Sequence, residues 1–251
     1  FSEAVALTGD TADALYRDFT PLEQPHVPGT RVFLEKIVKA VTSGLSTDRE
    51  KAVALLDWVR DIPEMYQNVA GDPFHGGTEE EVIRKGSSMC NEQARVLGIL
   101  AQVAGIPSRY VGHMTPLDFN DPQSGTGHGV NELYVDGRWA YFDIRGKFLL
   151  KPDGSFASTW DLIRDPSLID GQSADTLSHI RKTSSLDVTR RFFSPGTVHI
   201  IVNYLAAEHG RYDYSWVYPS KALWLEAREK ARLLRVTRHR DILPQPTPRV
   251  V

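Results

Sequence analysis

Apolar residues recur at helical spacing through the first hundred positions. Residues 30–42 place Val32, Phe33, Ile37, Val38 and Val41 on one side, with Thr30 as the expected cap and Gly44 as the stop. Thr47 followed by Glu50 reads as a capping box, in which each residue satisfies a free N–H at the helix start. The helix behind it carries Ala52, Leu55, Leu56 and Val59 and ends before Pro63. Thr78 and Glu81 form a second such box, opening a short helix that Gly86 closes. Residues 90–104 carry Ala94, Leu97, Leu100, Ala101 and Ala104 on a core face, and Gly105 ends that helix.

After Pro107 the period changes from helix to strand. Arg109 to Gly112 predicts one strand, and residues 128–135 and 138–144 alternate as two more, joined by Asp136-Gly137. Asp-Gly between alternating strands predicts a two-residue hairpin loop. With that loop, Val135 faces Arg138, Val130 faces Asp143 and His128 faces Arg145. His128 and Asp143 then project from the same face as diagonal neighbours, about 7–8 Å apart at the backbone. A loop one residue longer would invert the faces.

The flanks carry weaker patterns. The first thirty residues are acidic, with a short helix expected over 11–19 and an extended connector from Pro21 to Pro28, together a solvated strap. Residues 116–127 form a polar loop. Helices are expected near 159–165 and 173–182, and a buried strand from Val198 to Leu205. Tyr212, Tyr214, Trp216 and Tyr218 alternate, as for one strand face that packs in a core or forms a binding strip. Ser220 caps a final basic helix, and a Pro-rich tail follows Asp241. The expected organisation is a helical extension over 1–44, a core over 45–152 and a mixed extension over 153–251.

Composition narrows the function classes. The 251 residues are 41% hydrophobic and 24% charged, an ordinary globular balance. No apolar run is long enough for a membrane span. The net charge of -3 does not point to nucleic acid. The chain begins at Phe1 and not at Met, as expected of a processed or truncated protein, so a signal peptide removed earlier stays compatible with it and the compartment stays open. His75, His113 and His128 have no metal-ligand spacing, and no Gly-rich phosphate loop is present, so no metal or cofactor is expected. There is one cysteine, Cys90, which excludes an internal disulfide and a thiolate zinc cluster.

Cys90 stands where a Gly- and Ser-containing loop (Gly86, Ser87, Ser88) turns into a helix. The partial positive charge and free N–H groups of a helix start lower a thiol's pKa and can hold an oxyanion. Glu92 in the first turn opposes this in part. With His128 and Asp143 on one sheet face, the residues admit a Cys–His–Asp triad. They equally admit a structural thiol with an unrelated His and Asp.

The segments DWVRDIPEMYQN, GSSMCNEQARVLGILAQVAGIPSRYVGH and HGVNELYVDGRWAYFD, in this order, resemble the transglutaminase-like superfamily, a branch of the papain-like cysteine enzymes. The resemblance covers about Asp48 to Pro152. It implies an α+β papain-like core, with helices packed on an antiparallel sheet. It implies Cys90 as nucleophile, His128 as general base and acid, and Asp143 as the residue orienting it. Trp58, Tyr66 and Gln67 become candidates for a second oxyanion donor beside the Cys90 N–H, and Arg109 a structural residue. The positions beside and two after the histidine, aromatic in many members, hold Gly129 and Val130.

The expected chemistry is acyl transfer or hydrolysis at an amide or peptide carbonyl through a thioester, on a protein, peptide or small amide substrate. A deglycosylating amidase resembling peptide N-glycanase shares the core but carries a Cys-pair zinc module, which this chain lacks. The remaining alternative is a catalytically silent protein- or glycan-binding module on the same fold.

Overall fold

The computed structural model describes residues 4–18, 26–62, 78–86, 90–114, 127–145, 147–174, 176–177 and 186–203. Their elements run β1 (Ala4–Ala6), α1 (Gly9–Asp13), a π-helical turn (Ala14–Asp18), α2 (Val32–Val41), α3 (Asp48–Arg60), α4 (Glu79–Lys85) and α5 (Cys90–Val103). Then come β2 (Ser108–Met114), β3 (His128–Val135), β4 (Arg138–Asp143), β5 (Lys147–Phe148), α6 (Thr159–Arg164), a 3-10 turn (Pro166–Ile169), α7 (Leu186–Phe192) and β6 (Val198–Asn203). The final basic helix, the Pro-rich tail and the Tyr212–Tyr218 stretch lie outside the described residues. So does most of the helix expected over 173–182.

Six strands form one antiparallel sheet in the order β1-β6-β2-β3-β4-β5. The β3–β4 hairpin has the predicted register, with Val135 opposite Arg138 and Asn131 opposite Phe142. Asp136 and Gly137 both take positive φ, 54° and 73°, as a tight loop between twisted strands requires. Alternation then sorts the side chains. Leu133, Val135, Ala140 and Phe142 pack against α2, α3 and α5 on one face, while Val111, Val130, Tyr141 and Ile201 join Leu15, Leu162, Ile169 and Phe192 on the other. The architecture is α+β, with helices packed on an antiparallel sheet.

The helical face explains where α5 sits. Both predicted capping boxes are present, Thr47 with Glu50 and Thr78 with Glu81. Leu55, Leu56, Leu97 and Leu100 are fully buried between helix and sheet. Each contributes about 1.5–3 kcal/mol by leaving water. A buried ionic cluster ties the helix starts together: Glu79 of α4 accepts from Arg31 Nη2 at 2.6 Å and from Arg95 Nη2 of α5 at 3.1 Å.

The opposite face is fastened by Arg109. Its Nε donates to Glu132 at 2.8 Å and its Nη1 to the Leu15 carbonyl at 2.8 Å. The guanidinium lies over the rings of Tyr16, at 4.6 Å, and Trp139, at 4.1 Å. Tyr16 also donates to Glu132, at 2.8 Å. The N-terminal segment is thereby anchored to the sheet through a buried charge pair.

Several expectations need correction. Arg31, one residue after Thr30, stands at the cap position of α2, and Val32 is 51% exposed while Leu34 is fully buried. The helix expected over 11–19 is α1 followed by the π-helical turn. The N-terminal strap also contains β1, which pairs with β6. Residues 109–112 are the middle of a longer strand that extends to Met114.

Candidate active site

Cys90 is the first residue of α5 and is half-buried. Its position at the helix start puts the partial positive charge of the helix beside the thiol. The α5 start meets the beginning of β3, where the Gly129 N–H donates to Cys90 Sγ at 3.4 Å. No side chain fits at Gly129, because a Cβ there would lie 2.3 Å from the Tyr110 hydroxyl. The Gly129 position, unlike an aromatic residue, leaves that space to a ring from the neighbouring strand.

His128 opens β3 and projects from the face opposite α5, so the thiol meets it around the strand's end. His128 Nε2 lies 3.0 Å from Asp143 Oδ1. Asp143 Oδ1 accepts from the Arg145 N–H at 2.8 Å, and Oδ2 accepts from the Tyr141 hydroxyl at 3.2 Å. Nδ1 is the ring nitrogen that Asp143 does not occupy, and Cys90 is the second group that acts on the imidazole's charge. His128 and Asp143 are 8% and 4% exposed, so their pairing operates at low dielectric.

The electrostatics follow from these neighbours. Burial disfavours a charged His128, yet Asp143 and Cys90 raise it from 6.5 to about 10. Burial raises the Cys90 thiol, but His128, the Gly129 N–H and Arg145 outweigh this and hold it below its ordinary 9.0. Burial raises Asp143 too, and His128, the Arg145 N–H and Tyr141 bring it below 3.8. Burial and Asp143 push Tyr141 well above 10, so it stays a neutral donor. The arrangement favours thiolate, imidazolium and carboxylate together.

The structure brings Cys90, His128 and Asp143 together. Trp58 is partly buried in α3 against the helical core. Tyr66 and Gln67 lie outside the described residues, as does His75. Among the described residues no cluster of three or more His, Cys, Asp or Glu could hold a metal, and no helix is long and apolar enough to cross a membrane.

Sequence reasoning missed the surroundings of His128. His113 stands opposite His128 on β2 and opposite His199 on β6, so three histidines share one row of the sheet. His113 Nδ1 and His199 Nδ1 are 2.7 Å apart. Phe192 and Phe193 pack on this row. Extending the strand at 109–112 by one residue would have aligned His113 with His128. No local pattern announces Phe192.

Two solved structures share similarity with the chain. One is a putative cysteine protease from Cytophaga hutchinsonii, 22% identical over 55% of this chain and 43% of that one, with a TM-score of 0.37. The other is a putative protease from Parabacteroides distasonis, 16% identical over 48% of this chain and 24% of that one, with a TM-score of 0.34. The matched region thus spans less than half of either protein. Among curated proteins, none matches the chain. The family model described as transglutaminase-like superfamily matches residues 35–144, a segment running from α2 to the turn after β4. With its helices on an antiparallel sheet and Cys90 at a helix start beside the β3–β4 hairpin, this segment is similar to the transglutaminase-like superfamily over those residues.

Proposed function

We propose that the chain is a cysteine-dependent acyl-transfer enzyme acting at amide or peptide carbonyls, with Cys90, His128 and Asp143 as its triad. The observation carrying this reading is the two-sided engagement of His128. One ring nitrogen is bonded to a buried carboxylate, and the ring's other partner is the chain's one cysteine.

The Cys90 thiolate attacks the carbonyl carbon, forming a C–S bond and moving the C=O electron pair onto oxygen. In this reading the Cys90 N–H donates to that oxyanion. As the C–N bond breaks, the His128 imidazolium gives its proton to the leaving amine, which leaves a thioester. Neutral His128 then takes a proton from the acceptor as it attacks the thioester, and the thiolate departs. Asp143 keeps the ring in the tautomer that serves both halves. Water as acceptor gives hydrolysis, and an amine gives transfer. Both share the first half-reaction.

The test is a panel of peptide amides incubated with and without a primary amine and read by mass spectrometry. Ammonia or amine release, with hydrolysed or amine-linked product according to the acceptor, is expected from wild type and not from Cys90→Ala. Undiminished turnover by the folded Cys90→Ala variant would refute the assignment.

A further inference from the structure

Helix α7 and strand β6 lie outside the matched core, yet α7 covers the imidazole of His128 and β6 lies beside the neighbouring His113. Phe192, the last residue of α7, has its ring 5.0 Å from that of His128 at an interplanar angle of 20°. The same ring lies 5.7 Å from His113, also at 20°. Phe193 meets His113 edge-on at 5.4 Å and stacks on His199 at 5.9 Å. Phe192 and Phe193 are 7% and 3% exposed, so this wall is dry.

The wall is also uncharged at neutral pH. The Nδ1-to-Nδ1 contact of His113 and His199 requires one nitrogen to donate and the other to accept. Burial pushes His113 well below 6.5, helped by His199 and His128, and burial brings His199 down to about 4. His128 faces Cys90 from α5, Asp143 from β4 with Tyr141 and Arg145 behind it, His113 from β2 and, beyond it, His199 from β6. Among these, Asp143 and the thiolate favour a protonated ring. An aromatic face within about 6 Å of a cation does the same, because the ring's negative quadrupole attracts it.

We infer that Phe192 is a positioning residue for the triad: it lies on the face of His128, keeps water from the His128–Asp143 contact and favours the imidazolium that pairs with the Cys90 thiolate. The inference rests on the triad reading. It also gives the segment beyond the family core a part in the chemistry, since an open face would leave the ring to water and its charge to solvent screening.

The experiment follows the alkylation rate of Cys90 by iodoacetamide against pH in the full chain, read by intact mass. It compares wild type with Phe192→Tyr, Phe192→Leu and Phe192→Ala, each checked for folding by circular dichroism. Phe192→Tyr keeps the aromatic face and should retain the wild-type midpoint. Phe192→Leu keeps apolar cover but loses the face, and its rate at pH 6 should fall about 3- to 30-fold as the midpoint moves up. Phe192→Ala also admits water and should lose at least as much. Should Phe192→Ala fail to fold, the Leu and Tyr variants decide the matter. A folded Phe192→Leu variant with the wild-type profile overturns the inference and leaves Phe192 as packing. If wild type itself lacks a low-pH limb that depends on His128, the triad reading fails instead.

Discussion

Replacing Asp143 by Asn changes one atom type in the most heavily bonded carboxylate of the site. Asp143 accepts three hydrogen bonds, from His128 Nε2 at 3.0 Å, the Arg145 N–H at 2.8 Å and the Tyr141 hydroxyl at 3.2 Å. Asparagine has a single oxygen to serve these donors and presents an NH2 group to the remainder. If the NH2 faces Nε2, the ring must accept there and carry its proton on Nδ1, where it can no longer receive one from the thiol. If the oxygen faces Nε2, it still accepts from the Arg145 N–H, but the Tyr141 hydroxyl meets an NH2 group in place of its acceptor. In both cases the imidazolium loses a charge-assisted bond worth about 1.5–3 kcal/mol. That corresponds to about one to two pKa units, so thiolate formation at pH 6 should fall about 10- to 100-fold. Alkylation of Cys90 with iodoacetamide reports this directly, because only one site can be labelled. The Asp143→Asn variant should label slowly at pH 6 and approach the wild-type rate near pH 10, where the thiol ionises unaided. Superimposable profiles across that range would refute a role for Asp143 in holding the imidazolium.

Other consequences can be checked independently. His128 is raised from 6.5 to about 10 in the folded chain, so it contributes stability that is full below pH 6.5 and vanishes as pH rises through 10. Wild type should therefore lose more thermal stability than His128→Gln between those pH values, and parallel melting curves would contradict the shift. Gly129→Ala forces a Cβ against the buried Tyr110 ring and should cost about 1–3 kcal/mol, read as a lower denaturation midpoint. Tyr110→Leu in the same chain should recover part of that loss. Glu132→Gln leaves Arg109 buried without its counter-charge and should cost about 3–5 kcal/mol, lowering Tm by about 6–20 °C. An unchanged Tm would mean that the Arg109 cluster does not anchor the N-terminal segment.

The parts of this fold that could be read from sequence are those governed by short-range physics. Thr47–Glu50 and Thr78–Glu81 predict their helix starts because the capping bonds span three residues. Asp136-Gly137 fixes the hairpin register, and the register alone puts His128 and Asp143 on one face. The remainder depends on contacts distant in the chain. β1 is three residues of Ala-Val-Ala, too short for any period, and exists because β6 offers it an edge. The alignment of His199 with His113 follows from β6 pairing with β2, which no turn between them dictates. Val32 sits on the expected apolar side of α2 yet faces solvent, because Leu34 takes the buried position.

The place of β6 in the sheet has a bearing on how the protein is made. β2 lies between β3 and β6 in space, but β6 is the last described strand in the chain. During synthesis, α5 and the β3–β4 hairpin can assemble while one edge of β2 still has its N–H and C=O groups open. Closing that edge joins His113 to a residue 86 positions downstream, a slow step because the intervening loop must first be gathered in. In the interval the nascent chain carries an unpaired strand edge, the feature by which partly made sheets recruit one another. A ribosome-bound chain stalled before residue 198 should therefore call on chaperones more than one released after 203, and its His113 would still lack the His199 partner.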